Sequence, residues 1–129
     1  MKIECTNDLI MYQDKRYPCT VSLTMGLVGG KWKVVILYHL MNGPKRYHEL
    51  RKEMPTITEM TLSLQLKQLE ADGLVSRKVF GKKPPVKVEY SLTAMGISFI
   101  PVLEAITTWG NQLAEREGEF IAYQPSTSP

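Results

Sequence analysis

The stretch Thr58–Asp72, TEMTLSLQLKQLEAD, constrains what this chain can fold into more than any other segment. Leu62, Leu66 and Leu69 recur at i, i+4 and i+7, the spacing of one helical face. Thr58 stands just before the periodic part, where a side-chain oxygen can satisfy an orphan backbone N–H, and Gly73 ends the run as a helix C-terminal glycine does. At about 100° per residue, Met60, Ser63, Leu64 and Lys67 point away from the leucine stripe. That outer face is small, polar or unbranched and carries no carboxylate. It suits a helix that enters a DNA major groove. An ordinary amphipathic helix shows the same pattern, so its neighbours decide.

Upstream, Lys45 to Met54 carries Tyr47 and Leu50 at helical spacing, and Pro55 closes it. A short helix, a tight turn and a leucine-striped helix make the helix-turn-helix arrangement, with the second helix as reader. Downstream, Val75, Arg77 and Val79 alternate with Ser76, Lys78 and Phe80. Beyond Gly81-Lys82-Lys83-Pro84-Pro85, Val86, Val88 and Tyr90 alternate with Lys87 and Glu89. Two period-2 runs around such a turn predict a β-hairpin with a Lys-Lys tip, the wing that reaches the sugar-phosphate backbone beside the groove.

Charge follows the same plan. The net +3 is mild, but residues 31–52 carry a balance of +5 and residues 75–90 a balance of +4, while 53–74 and 103–129 each sum to −3. Basic charge is thus focused on the segments flanking the central helix, the footprint of nucleic-acid binding that scattered solvated lysines also produce.

The remaining elements frame this core. Residues 1–19 show no convincing period and predict a loosely ordered arm. Thr20 is the expected N-cap of a short helix to about Val28; after Gly29-Gly30, KWKVVILYHLM predicts a second helix that stops at Asn42-Gly43-Pro44. Thr93 caps a last long helix, about Ala94 to Glu117, in which Pro101 predicts a kink or local break. Its stripe of Phe99, Val102, Leu103, Ile106, Trp109, Gly110 and Leu113 exceeds what a small winged domain covers alone. A partner subunit is its natural cover, and folding back on its own domain is the alternative. The domain plan is therefore an arm over 1–19, a winged domain over 20–117 and a flexible tail over 118–129. Within it lie a reading helix about 58–72, a wing about 75–91 and a C-terminal dimerisation helix about 94–117.

At 129 residues, 43% hydrophobic and 22% charged, the composition is that of one ordinary globular domain. No run approaches the ~18 apolar residues of a membrane span. The N-terminus lacks a hydrophobic signal core, and two cysteines are too few for a secreted disulfide framework, so a cytoplasmic protein is expected. His39 and His48 have no ligand-spaced partners, and no catalytic triad, phosphate loop or paired carboxylates stand in a suitable context. Neither a metal, a cofactor nor an enzyme is expected.

The blocks Leu27-Val28-Gly29-Gly30-Lys31-Trp32-Lys33, Gly43-Pro44-Lys45-Arg46-Tyr47-His48-Glu49-Leu50-Arg51, Leu66-Lys67-Gln68-Leu69-Glu70-Ala71-Asp72-Gly73-Leu74-Val75 and Val88-Glu89-Tyr90-Ser91-Leu92-Thr93 resemble the HxlR family of bacterial winged-helix transcription regulators, over roughly residues 18–113. The resemblance implies an α+β, mainly α fold: a winged helix-turn-helix with a two-stranded wing and flanking N- and C-terminal dimerisation helices. It implies a homodimer on a roughly palindromic double-stranded DNA operator, repression more than activation, and no membrane. It also implies a response to oxidants, electrophiles or small molecules through a cysteine just before the first helix, here Cys19. The chain departs from the family's commonest pattern at Leu64, where a polar residue is more usual; Leu64 could touch a thymine methyl or join the core.

The residues expected to read DNA are Met60, Thr61, Ser63 and Lys67, with Thr58 both cap and phosphate contact. Lys33, Arg46, Arg77, Lys82 and Lys83 are phosphate candidates, which set register but not sequence. A thiol at a helix start can be acidified by the helix dipole, so Cys19 and Cys5 are redox candidates, the alternative being two unreactive thiols. The competing functional reading is a ligand- or redox-sensing protein-interaction module that does not read DNA.

Overall fold

A computed structural model describes residues 9–124 of the chain. Its elements, in order, are β1 (Ile10–Tyr12), β2 (Lys15–Tyr17), α1 (Thr20–Val28), α2 (Lys33–His39), β3 (Lys45–Arg46), α3 (Tyr47–Glu53), α4 (Glu59–Ala71), β4 (Val75–Phe80), β5 (Lys87–Leu92), α5 (Ala94–Ser98) and α6 (Ile100–Glu117). The winged helix-turn-helix expected from the sequence is present: α3 and α4 form the pair, and β4 with β5 form the wing.

The core sits where the leucine stripe pointed. Leu62, Leu66 and Leu69 are fully enclosed, together with Ile36, Leu37 and Leu40 around α2, Leu50 of α3, Val75 of β4 and Leu103 of α6. Each such side chain is worth about 1.5–3 kcal/mol in transfer terms. The helix they anchor is closed at both ends. Thr58 Oγ1 accepts from the Thr61 N–H at 3.1 Å. At the other end the Leu74 N–H donates to the Leu69 carbonyl at 2.9 Å and the Gly73 N–H to that of Glu70 at 3.1 Å. This is a full Schellman motif, and Gly73 at φ +82° supplies the left-handed residue it requires.

The wing is tied to that helix end. Thr93 Oγ1 accepts from the Gly96 N–H at 3.1 Å, capping α5, and donates to the Gly73 carbonyl at 2.6 Å. The register pairs Val75 with Leu92 and Phe80 with Lys87, and Ser76 and Ser91 join their hydroxyls across it at 3.0 Å.

Five local expectations are corrected. The sheet has three strands in the order β3-β5-β4, because Lys45 and Arg46 pair with Tyr90 and Glu89 before the chain turns into α3; the helix expected from Lys45 starts at Tyr47. The N-cap of α1 is Cys19, whose sulfur accepts from the Ser22 N–H at 3.4 Å. Thr20 is already inside the helix, its carbonyl taking the Thr24 hydroxyl at 2.9 Å. The second helix is shorter than its apolar run, starting at Lys33 and ending at His39. The described part of the arm is ordered as the β1–β2 hairpin, turning through Gln13 and Asp14 at φ +47° and +63°. Its Tyr17 lies so close to Gly26 of α1 that a Cβ there would come within 2.9 Å of the ring. Lastly, the break expected at Pro101 is present but falls two residues earlier, the long C-terminal segment being two helices that meet at Phe99. Pro101 stands in the first turn of α6, where its missing N–H costs nothing.

Candidate nucleic-acid interface

The outer face of α4 is where the site begins. Because Leu62, Leu66 and Leu69 hold the inner face, Met60 projects with 83% of its surface exposed, and Ser63 and Lys67 are exposed on the same side. Leu64 is 50% exposed, so it belongs to this outer face and not to the core. Thr58 is exposed at the N-cap and donates its hydroxyl to Thr61 Oγ1 at 2.8 Å. Thr61 is half-buried, its hydroxyl already engaged by the cap.

Three of the expected residues meet in one polar cleft. Ser63 and Lys67 from α4 and Arg77 from β4 line it with Tyr47, Glu70 and Tyr90, enclosing about 350 Å³. Arg77 and Tyr90 are direct cross-strand partners, which is why they share a face. Among the described residues Lys67, Arg77, Lys82 and Lys83 enter no salt bridge, whereas Lys87 pairs with Glu89 at 3.0 Å. Lys82 and Lys83 are exposed at the wing tip, and Arg46 is exposed at the N-cap of α3, its N–H donating to Glu49 Oε1 at 2.8 Å. Lys33 is half-buried at the first residue of α2 and does not line the cleft.

Sequence reasoning passed over three residues here. The Tyr47 hydroxyl donates to the Glu59 carbonyl at 3.1 Å and lies 3.2 Å from Ser63 Oγ, binding the start of α3 to the first turn of α4. Tyr90 enters the cleft from β5. Arg51 donates through its guanidinium to the Ile57 carbonyl in the turn. No local pattern signals these, since each partner lies on another element; an aromatic hydroxyl at the first residue of a helix is the one available hint, for Tyr47.

The signal-sensing candidates lie elsewhere. Cys19, the N-cap of α1, is 7% exposed and is disulfide-bonded; Cys5 lies outside the described residues. Trp109 (65% exposed), Ile106 and Val102 of α6 leave an apolar strip open, as do Val21 and Met25 of α1. No single helix among the described residues is long and apolar enough to cross a membrane.

Comparison with known proteins agrees with this geometry. A family model described as HxlR-like helix-turn-helix matches residues 27–118. The HTH-type transcriptional regulator YkvN of Bacillus subtilis is 47% identical over 114 residues, spanning 86% of this chain and 96% of that protein. YdeP of the same organism is 47% identical over 98 residues, 76% of each chain. Among solved structures, the redox regulator HypR in its oxidized form superposes with a TM-score of 0.69 at 45% identity, covering 73% of this chain and 96% of that one. The reduced form of YodB from B. subtilis gives 0.62 at 35% identity, covering 73% and 91%.

Proposed function

Since the chain belongs to the HxlR-like helix-turn-helix family and is a transcriptional regulator of that non-enzymatic class, we propose that it binds a palindromic DNA operator as a homodimer, with α4 in the major groove and the β4–β5 wing on the backbone. The observation that carries this reading is the division of α4: three leucines wholly buried on one face, and Met60, Ser63, Leu64 and Lys67 exposed on the other beside the basic wing. Met60, Ser63, Leu64 and Lys67 meet base edges, Leu64 through apolar contact with a thymine methyl. Thr58, Arg46, Arg77, Lys82 and Lys83 take phosphates. Thr61 serves mainly through the cap it shares with Thr58. Lys33 is the weakest member of the set, since it stands apart from the cleft.

The open strips on α6 and α1 support pairing of two subunits through these helices. A symmetric dimer would present its two reading helices to half-sites about one helical turn apart, roughly 34–36 Å. The Cys19 disulfide is the proposed input of an oxidant signal, formed on oxidation and opened by reductant, with Cys5 the other cysteine of the chain. HypR, at 45% identity, is described as a redox regulator, which favours this input over a purely structural cysteine.

Capture of genomic fragments by the purified protein, with reductant and again after mild oxidation at fixed salt, tests the proposal. Enrichment of one palindrome under reduction, lost on oxidation and retained in Cys19→Ser, is the expected result. Enrichment indifferent to oxidation would remove the thiol input and leave the operator. Absence of any enriched sequence in either state would transfer the protein to the competing reading, an interaction module that does not read DNA.

A further inference from the structure

The hydrogen-bond geometry around Ser63 goes beyond naming it as a DNA contact, because it fixes which partner Ser63 can accept. A tyrosine hydroxyl has one proton. At Tyr47 that proton goes to the Glu59 carbonyl, 3.1 Å away, since a carbonyl oxygen can only accept. In the neighbouring 3.2 Å contact with Ser63 Oγ, the tyrosine oxygen therefore has only lone pairs to offer, and Ser63 must be the donor. The serine's single proton is spent inward. What Ser63 turns to the outside of α4 is lone pairs alone.

Without Tyr47 the balance would differ. Glu59 is the residue four before Ser63, the carbonyl to which a serine inside a helix ordinarily returns its proton. Without Tyr47 that return is only one of the rotations open to the serine, which can also turn its proton outward and donate. Tyr47 occupies the carbonyl and places its own oxygen where it receives the serine proton, fixing the rotation. The arrangement depends on α3 and α4 being held together, as they are by the enclosed Leu50 and Leu62.

We propose that Tyr47 is a positioning residue for sequence reading, holding Ser63 as a pure acceptor that selects an amino-bearing base, adenine or cytosine, over a keto-bearing one. The inference rests on the reading that α4 enters the major groove. There adenine N6 and cytosine N4 donate, while guanine O6 and N7 and thymine O4 accept. A lone-pair-only oxygen meets the first two and is repelled by the others. It is repelled equally by phosphate oxygens, which assigns Ser63 to a base edge and leaves the backbone to Arg77 and the wing.

Selection from a randomised duplex library with the full-length protein, at one salt concentration, reads this directly. The parent should show one position per half-site that prefers adenine or cytosine on one strand. In both Tyr47→Phe and Ser63→Ala that preference should fall roughly threefold to tenfold, the loss of about one hydrogen bond. Other positions should hold and the thermal midpoints should stay near the parent's. A second test leaves the protein unaltered: replacing adenine at that position by a purine lacking the amino group should weaken the parent and not Ser63→Ala. A Tyr47→Phe matrix identical to the parent's overturns the inference while leaving DNA reading intact, as does a Ser63-dependent position that prefers guanine or thymine. Failure of the parent to enrich any sequence overturns both.

Discussion

Arg51 reaches from α3 to the carbonyl of Ile57, so the guanidinium of one helix holds the turn that leads into the next. The turn from Met54 to Thr58 has few bonds of its own, the Ile57 N–H to the Met54 carbonyl at 3.3 Å being one. The angle between α3 and α4 is therefore set from the side. Arg51→Ala should cost about 1.5 kcal/mol of stability, as loss of a charge-assisted bond. It should also weaken operator binding more than it weakens binding to random DNA. Chemical denaturation and gel shift on the same preparation check both effects.

Gly96 makes a sharper demand. A Cβ on this residue would stand 2.3 Å from the Leu74 carbonyl oxygen and 3.2 Å from Leu92 Cβ, both of which belong to the base of the wing. Backbone cannot yield as a flexible side chain does. Gly96→Ala should cost about 1–3 kcal/mol by overpacking. The wing's strand pairing should loosen with it, seen as faster amide exchange at Ser76 and Tyr90.

Acid should release a different tie. Glu53, at the end of α3, accepts from Lys45 of β3 and lies 2.9 Å from His39 Nδ1 of α2. Its carboxyl is held below the ordinary value of 4.5, chiefly by the Lys45 hydrogen bond, against a smaller opposing effect of burial and with help from His39. A carboxylate depressed in the folded state binds fewer protons there than in the unfolded chain. Its stabilisation is therefore complete above pH 4.5 and is lost as the pH falls through the lower, folded value. Glu53→Gln should flatten that part of the acid limb and leave the neutral region parallel to the parent. An unchanged limb in a denaturation series across acid pH would show the tie to be inert.

The apolar strip on α6 predicts an assembly. Trp109→Glu places a charge at the centre of the open face beside Ile106 and Val102. Sedimentation equilibrium should give a parent dimer and a monomeric variant, with the operator affinity of the variant reduced because its two heads no longer bind together. A dimeric variant would place the interface elsewhere.

Much of this was legible in the chain because it is local. The stripe of Leu62, Leu66 and Leu69, the Thr58 and Thr93 caps and the Gly73 stop are each settled within a few residues, and all three lie where the spacing predicts. Pro101 was legible as an interruption, though only the fold shows that it begins α6. What escaped depends on distant partners. The strand at Lys45–Arg46 exists because β5 offers it Tyr90 and Glu89. The N-terminal hairpin turns through Gln13 and Asp14 with no glycine to announce it. Tyr47 and Ser63 are on different helices, and their meeting appears only once the core has brought α3 against α4.

The measurement closest to the central claim is the salt dependence of operator affinity for the parent, Lys67→Ala and the double variant Lys82→Ala with Lys83→Ala. If α4 reads and the wing grips the backbone, the parent's log K should fall steeply with log salt. The double variant should weaken operator and random DNA about equally, its slope shallower by roughly one to two. Lys67→Ala should lose affinity chiefly for the operator. Variants that bind both DNAs with the parent's affinity and slope would contradict the placement of helix and wing on DNA.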